Sequence, residues 1–289
     1  MLSVVIYTLG LNSRVDTLDF NGMRAFTARP RRTVTRPIPA DICSPPDHFD
    51  GLTHPDLELS VTRTTAHGDE HAFGVRRVAA RPSVFHLRGL LSDAECDDVI
   101  AAADSNMKQA TTAGGDLRSG CSVSWLPVDE NPVAGALAGV VGDLLLSPEA
   151  ADYGGEFENL QVLRYETGGV FNLHHDANEN TPRLLTVLLY LNGEGETWFP
   201  LAIAEDEVAR TAGNPASRDA TLNACSQLEP WKDGLTVAPE KGDAIAFYNL
   251  RQDGSGDLDR LAFHSGLPAA AEKRVAALWW RCGDGPVES

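Results

Sequence analysis

Seven short apolar runs fill the stretch from Leu160 to Arg281: LQVLRYE, VFNLHHD, RLLTVLLYLN, TWFPLAI, LTVAPEKGDAIAFYN, RLAFHSG and KRVAALWWR. They are separated by glycine, proline and asparagine, and read as strands. Two helical patterns precede them. In LSDAECDDVIAAADSN, Ser92 stands as an N-cap with Glu95 three residues later, a capping box, and Cys96, Val99, Ile100 and Ala103 share one helical face. In NPVAGALAGVVGDLLL, Asn131 caps, Pro132 suits the first turn, and Val133, Leu137, Val140, Val141 and Leu144 form the apolar stripe. Strands crowded behind two helices restrict the chain to a mainly β, α+β architecture, a sandwich or barrel braced by N-terminal helices.

The pattern sharpens only from Arg81. Residues 1–80 carry proline-rich punctuation and weak periodicity, and read as an extension that wraps or pairs with a main domain spanning 81–289, or is partly disordered. The segment 205–234 is polar, contains Pro215 and Pro230, and interrupts the strands as an insertion or lid.

The 289 residues, 43% hydrophobic and 22% charged, suit an ordinary soluble globular protein. No apolar run approaches the roughly 18 residues of a membrane span, so no membrane partner is expected. The net charge of −17 opposes binding to a nucleic-acid backbone. Five scattered cysteines without a CxxC pair indicate neither a disulfide scaffold nor a zinc knuckle, so a reducing, cytoplasmic compartment is the default. The arginine-rich MRAFTARPRRTVTR keeps an organelle-targeting reading open. Oligomeric state is not readable.

Chemistry concentrates in VFNLHHDANEN. Five of the eight histidines lie before residue 87; the others are His174, His175 and His264. In an extended strand, residues two apart share a face, so His174 and Asp176 project together and His175 points away. The bland alternative is a solvated strand end. A catalytic metal needs a third ligand from another strand, and His264 is the only other histidine in the C-terminal half. Two histidines and one carboxylate on one face of an iron(II) ion leave open positions, the arrangement of oxygen-activating non-haem enzymes. Arg274, ten residues after His264, suits a bidentate pair with a carboxylate-bearing co-substrate, while Lys273 should point to the opposite face.

The segments LQVLRYETGGVFNLHHD, RLLTVLLYLN, GETWFP, VAPEKGDAIAFYNL and DGSGDLDRLAFHSGLP, in that order and spacing, resemble the prolyl 4-hydroxylase-like branch of the iron(II)/2-oxoglutarate-dependent dioxygenases, from about Arg81 to Arg281. The resemblance implies a double-stranded β-helix, a cupin-like jelly roll, with iron near one mouth. It assigns His174, Asp176 and His264 as metal ligands and Arg274 as partner of the 2-oxoglutarate distal carboxylate. Many relatives have lysine there, which leaves Lys273 as the alternative. Tyr165, Thr186 and Tyr190 fall where relatives line the co-substrate pocket, and Arg118 resembles an Arg–Ser segment near the substrate channel, although an ordinary surface salt bridge would explain it too.

The implied chemistry is O2-dependent decarboxylation of 2-oxoglutarate to succinate and CO2, coupled to oxidation of an unactivated C–H bond, with ascorbate as an optional reductant. A prolyl residue in a peptide or protein is the substrate the motifs suggest first. A free amino acid or amino-acid-derived metabolite, hydroxylated, desaturated or closed into a ring, is the alternative that the long insertion suggests. A jelly roll serving only as a binding module would be expected to lose a ligand, and all three are present.

Overall fold

The two helices form where their caps stand. The Ser92 side chain accepts from the Glu95 N–H and Glu95 reaches back to the Ser92 N–H, opening helix α1 (Asp93–Asp104). Asn131 caps helix α2 (Pro132–Leu145) by accepting from the Ala134 N–H. In this computed structural model, residues 3–7, 17–19, 46, 58–110, 117–147, 150, 155–178, 181–203, 214–253 and 255–282 are described.

Ahead of α1 run β1 (Ser3–Tyr7), β2 (Thr17–Asp19), β3 (Glu58–Thr64), β4 (Glu70–Ala79) and β5 (Val84–Arg88). β6 (Lys108–Gln109) and β7 (Cys121–Leu126) separate α1 from α2. Then come β8 (Glu156–Phe157), β9 (Leu160–Tyr165), β10 (Phe171–His174), β11 (Arg183–Tyr190), β12 (Thr197–Phe199), helix α3 (Arg218–Cys225), β13 (Leu235–Val237), β14 (Ala244–Tyr248), β15 (His264–Gly266) and β16 (Lys273–Arg281). The larger sheet has the order β2-β1-β3-β4-β5-β14-β11-β16-β9-β7-β6, with β8 also on β16; the smaller is β10-β15-β12-β13.

Alternation along the central strands divides the interior into two cores. Leu185, Val187 and Leu189 of β11, with Ala276, Leu278 and Trp280 of β16, pack beneath α1 and α2. On the opposite face, Tyr190, Leu163, Tyr165, Ile245, Phe247 and Val275 meet Phe199 and Val237 of the smaller sheet. The second core lies between the two sheets of the jelly roll, and the candidate site opens at its margin. This is the mainly β, double-stranded architecture expected.

Local readings differ from the structure in four places. LTVAPEKGDAIAFYN is two strands in different sheets, β13 and β14, because the chain turns at Gly242 with φ +87°. RLAFHSG begins as a 3-10 turn, Arg260–Ala262, capped by Asp259, and becomes strand only at His264. Within the 205–234 insertion, residues 218–225 are helical, capped by Ser217, while 205–213 lie outside the described residues. Within the 1–80 extension, β3 and β4 are integral to the larger sheet, so a boundary at 81 cuts through continuous pairing.

The physical reason for the last difference is a buried ion pair. Arg63 of β3 is 1% exposed and donates to the Leu90 carbonyl at 2.8 Å and to both oxygens of Glu95, the α1 capping residue. Burial opposes the Glu95 charge, but Arg63 and the N–H groups of Ala66 and Ser92 hold its pKa down to about 2. The arginine-rich stretch 23–36 and Cys43 lie outside the described residues; Cys96, Cys121 and Cys225 are buried free thiols. No helix among the described residues is long and apolar enough to cross a membrane.

Candidate metal centre and co-substrate pocket

His174 and His264 are Cα partners across β10 and β15, so strand pairing alone sets their rings side by side, with centroids 4.3 Å apart. Asp176 follows two residues beyond the end of β10. Its Oδ1 lies 3.3 Å from His174 Nε2 and its Oδ2 3.8 Å from His264 Nε2. One donor atom from each residue falls within 4.8 Å of the others.

Orientation of the imidazoles fits a metal. His174 Nδ1 bonds to the Asn172 carbonyl at 2.8 Å and His264 Nδ1 to the Ala262 carbonyl at 3.0 Å. A carbonyl only accepts, so the proton resides on Nδ1 and the Nε2 lone pairs face inward. Burial and the neighbouring His174 push the His264 pKa down to about 3, which keeps it the neutral ligand form. Burial works against the Asp176 charge, yet His264, His174 and Arg183 outweigh it and hold the carboxyl well below the ordinary carboxylate range. Two neutral imidazoles and one carboxylate form a donor set suited to iron(II) with open positions.

His175 turns away, as alternation requires. Its Nε2 donates to the Asp259 carbonyl at 3.0 Å and its Nδ1 accepts the Ala177 N–H at 3.1 Å, tying the ligand turn to the segment before His264. Thr186 and Trp279 approach from the larger sheet, donating to Asp176 Oδ2 at 2.8 and 3.1 Å. Thr186 therefore meets the Asp176 carboxylate directly. Arg183 supports this corner: its guanidinium lies 3.8 Å over the Trp279 ring, pairs with Glu158, and donates to the Asp176 carbonyl.

Strand parity turns Arg274, the anchor expected, away from the space between the sheets. Arg274 leaves β16 on the helix-facing side, where it pairs with Asp104 at the end of α1 and with Glu272. Lys273 points between the sheets and is 4% exposed, its Nζ 5.5 Å from the centre of the Tyr165 ring. Two glycines make room for it. A Cβ on Gly195, which has φ +76°, would lie 2.4 Å from the Lys273 stem, and one on Gly266 would lie 3.1 Å from Nζ. Burial pulls its pKa down to about 8, partly offset by Glu196. Among the described residues it has no ion-pair partner, and a desolvated cation so placed fits an incoming carboxylate.

Tyr165 and Tyr190 line the same interior. Tyr165 is the cross-strand partner of Cys121, and the Tyr190 hydroxyl donates to Thr197 Oγ1 at 2.7 Å. Arg118 sits at the rim in a stack: its guanidinium lies 4.0 Å over the Phe171 ring, which stacks at 3.5 Å on His174. Sequence reasoning passed over Arg183, Asn249, Phe171, Cys121 and Trp279. Asn249 carried the best signal, a polar residue closing the apolar run AIAFY.

A family model described as the 2OG-Fe(II) oxygenase superfamily matches residues 160–281. Prolyl 4-hydroxylase 2 of Arabidopsis thaliana is 30% identical over 224 residues, covering 71% of this chain and 69% of its own. The chain belongs to the prolyl 4-hydroxylase-like 2OG-Fe(II) oxygenases. Prolyl 4-hydroxylase 5 of the same plant is also 30% identical, over 248 residues and 78% of each chain. Among solved structures, viral collagen prolyl hydroxylase from Paramecium bursaria Chlorella virus-1, as a 2OG complex, aligns over 69% of this chain and 96% of its own at 24% identity and a TM-score of 0.47. Membership makes the protein a 2-oxoglutarate-dependent dioxygenase using Fe(II), and the His-Asp-His donor set agrees with that metal.

Proposed function

We propose that this chain hydroxylates a prolyl residue in a peptide or protein, with His174, Asp176 and His264 as the Fe(II) ligands and Lys273 as the anchor of the 2-oxoglutarate distal carboxylate. The convergence of three ligand side chains, His264 buried and His174 and Asp176 half-buried, beside the buried Lys273 ammonium carries the reading, and the prolyl 4-hydroxylase relatives supply the substrate class. When bound, the metal and 2-oxoglutarate supply the O2 activation and decarboxylation that oxidise a C–H bond.

The chain's own residues do the positioning. The histidine Nδ1 bonds fix both rings with Nε2 inward. Lys273 holds the far end of the keto-diacid by charge, and Tyr165 and Tyr190 wall the pocket and exclude water from it. Arg118, braced on Phe171, stands beside His174 where a peptide reaching the site would meet a hydrogen-bonding cation. Arg118→Ala accordingly raises KM for peptide and leaves KM for 2-oxoglutarate unchanged.

Succinate release measured with proline-rich peptides and with a panel of free amino acids tests the substrate class, with Asp176→Ala as the control that abolishes turnover. The expected result is peptide-dependent succinate and one oxygen atom added to a prolyl ring by mass spectrometry. Coupled turnover with free amino acids alone would overturn it.

A further inference from the structure

Asp176 is held by a chain of hydrogen bonds whose direction is fixed by chemistry. Asn249 Nδ2 lies 2.8 Å from Thr186 Oγ1, and Thr186 Oγ1 lies 2.8 Å from Asp176 Oδ2. An ionised carboxylate only accepts, so the Thr186 hydroxyl must donate to it. Its oxygen is then left to accept, and the group facing it must be the amide NH2 of Asn249. Trp279 Nε1, a donor only, approaches the same Oδ2 at 3.1 Å. With two donors on Oδ2, the oxygen left for a metal is Oδ1, which faces His174 Nε2.

Asn249 is fully buried just past the end of β14. Its N–H donates to the Leu184 carbonyl and its carbonyl accepts the Asp259 N–H, both at 2.8 Å. The residue is clamped between β11 and the turn that leads into His264. This makes it a fixed reference point, linked by backbone to the distal ligand's segment and by side chain to the proximal carboxylate.

We propose that Asn249, acting through Thr186, is a positioning residue for Asp176: the relay, with Trp279, occupies Oδ2 and commits Asp176 to bind the metal through Oδ1 alone. This rests on the metal reading above. A carboxylate free to rotate would present both oxygens to the ion and take up a position needed by co-substrate or O2. Outer partners of metal ligands typically contribute roughly tenfold to a hundredfold in affinity.

The test uses Co(II) alone as the probe, with affinity read by competition titration, ligand geometry by the visible spectrum, and folding by thermal unfolding of the metal-free protein. Thr186→Val and Asn249→Ala are each expected to weaken Co(II) binding roughly tenfold or more and to alter the spectrum. Thr186→Ser, which keeps the hydroxyl, restores both. Since Asn249 acts through Thr186, adding Asn249→Ala to Thr186→Val produces no further loss. Asn249→Asp preserves the side-chain shape and replaces the donor by an acceptor; it gives the same weakening and serves where the alanine variant does not fold. Wild-type affinity and spectrum in both Asn249 variants, or losses that add independently of Thr186, overturn the relay while leaving the metal assignment standing. Failure of the wild-type protein itself to bind Co(II) would instead sink the metal reading, and the relay with it.

Discussion

Lys273 and Tyr165 are Cα partners across β16 and β9, and the lysine ammonium stands 5.5 Å from the centre of the tyrosine ring, with no carboxylate of the described residues within ion-pair reach. Lys273→Ala is expected to raise KM for 2-oxoglutarate by roughly a hundredfold, the scale of a lost charge-assisted contact in a dry site. Lys273→Arg does not rescue it, since Gly195 and Gly266 close on the lysine stem and leave no room for the larger, planar guanidinium. Arg274→Ala leaves that KM unchanged and costs at most about 1 kcal/mol of stability, because its partners Asp104 and Glu272 are partly exposed. Steady-state kinetics at varied 2-oxoglutarate and denaturant unfolding check the three variants.

The same lysine predicts an alkaline limit. Its pKa in the free protein is lowered by burial to about 8, from an ordinary 10.5. The charged form binds the dicarboxylate, and it is the form lost as pH rises. KM for 2-oxoglutarate should therefore be flat below about pH 8 and climb about tenfold per unit well above it, with kcat at saturating co-substrate unchanged. In Lys273→Ala the climb disappears. A wild-type profile flat to pH 10 would show that another group anchors the co-substrate.

How far the sequence discloses this site depends on which faces of its strands are buried. His174 and Asp176 were legible because β10 is short, marginal and polar on one side, so a two-residue spacing has one reading. β16 is different. Val275, Ala276, Ala277, Leu278, Trp279 and Trp280 are all buried, with α1 and α2 against one face and the smaller sheet against the other. A strand apolar on both sides has no alternation to read, so nothing in KRVAALWWR tells which of Lys273 and Arg274 points inward. The antiparallel register with β9 decides it. Thr186 illustrates the same limit, since its place on β11 was readable, but its bond to Asp176 depends on how the two sheets approach.

Acid should destabilise the metal-free protein in two overlapping stages. His264 has a folded pKa of about 3 against an ordinary 6.5, so its stabilising effect is complete above pH 6.5 and is lost as pH falls toward 3, where the unfolded chain binds the proton more readily. Glu95 has a folded pKa of about 2 against 4.5, and its contribution is present above 4.5 and lost as pH falls toward 2. Both act in the same direction. Unfolding free energy from urea titrations is expected to fall by up to about 1.4 kcal/mol per pH unit for each titrating group. In Glu95→Gln the lower stage disappears and the upper one remains.

The Arg63–Glu95 pair tests whether β3 belongs to the folding unit. Both side chains are fully shielded from solvent, and each oxygen of Glu95 is occupied: Oε1 by Arg63 and the Ala66 N–H, Oε2 by Arg63 and the Ser92 N–H. Arg63→Met leaves a buried carboxylate that has lost its cation, a change that typically costs about 3–5 kcal/mol. Arg63→Met combined with Glu95→Leu removes both charges but also the capping-box acceptor, so it should recover part of that loss and not all of it. If β3 were only an appendage, the single variant would shed it without changing the unfolding of the jelly roll. The expectation from the continuous pairing of β3, β4, β5 and β14 is one cooperative transition, shifted as a whole to lower urea. An early, separate transition in Arg63→Met, with the main midpoint unmoved, would put the domain boundary back after β4.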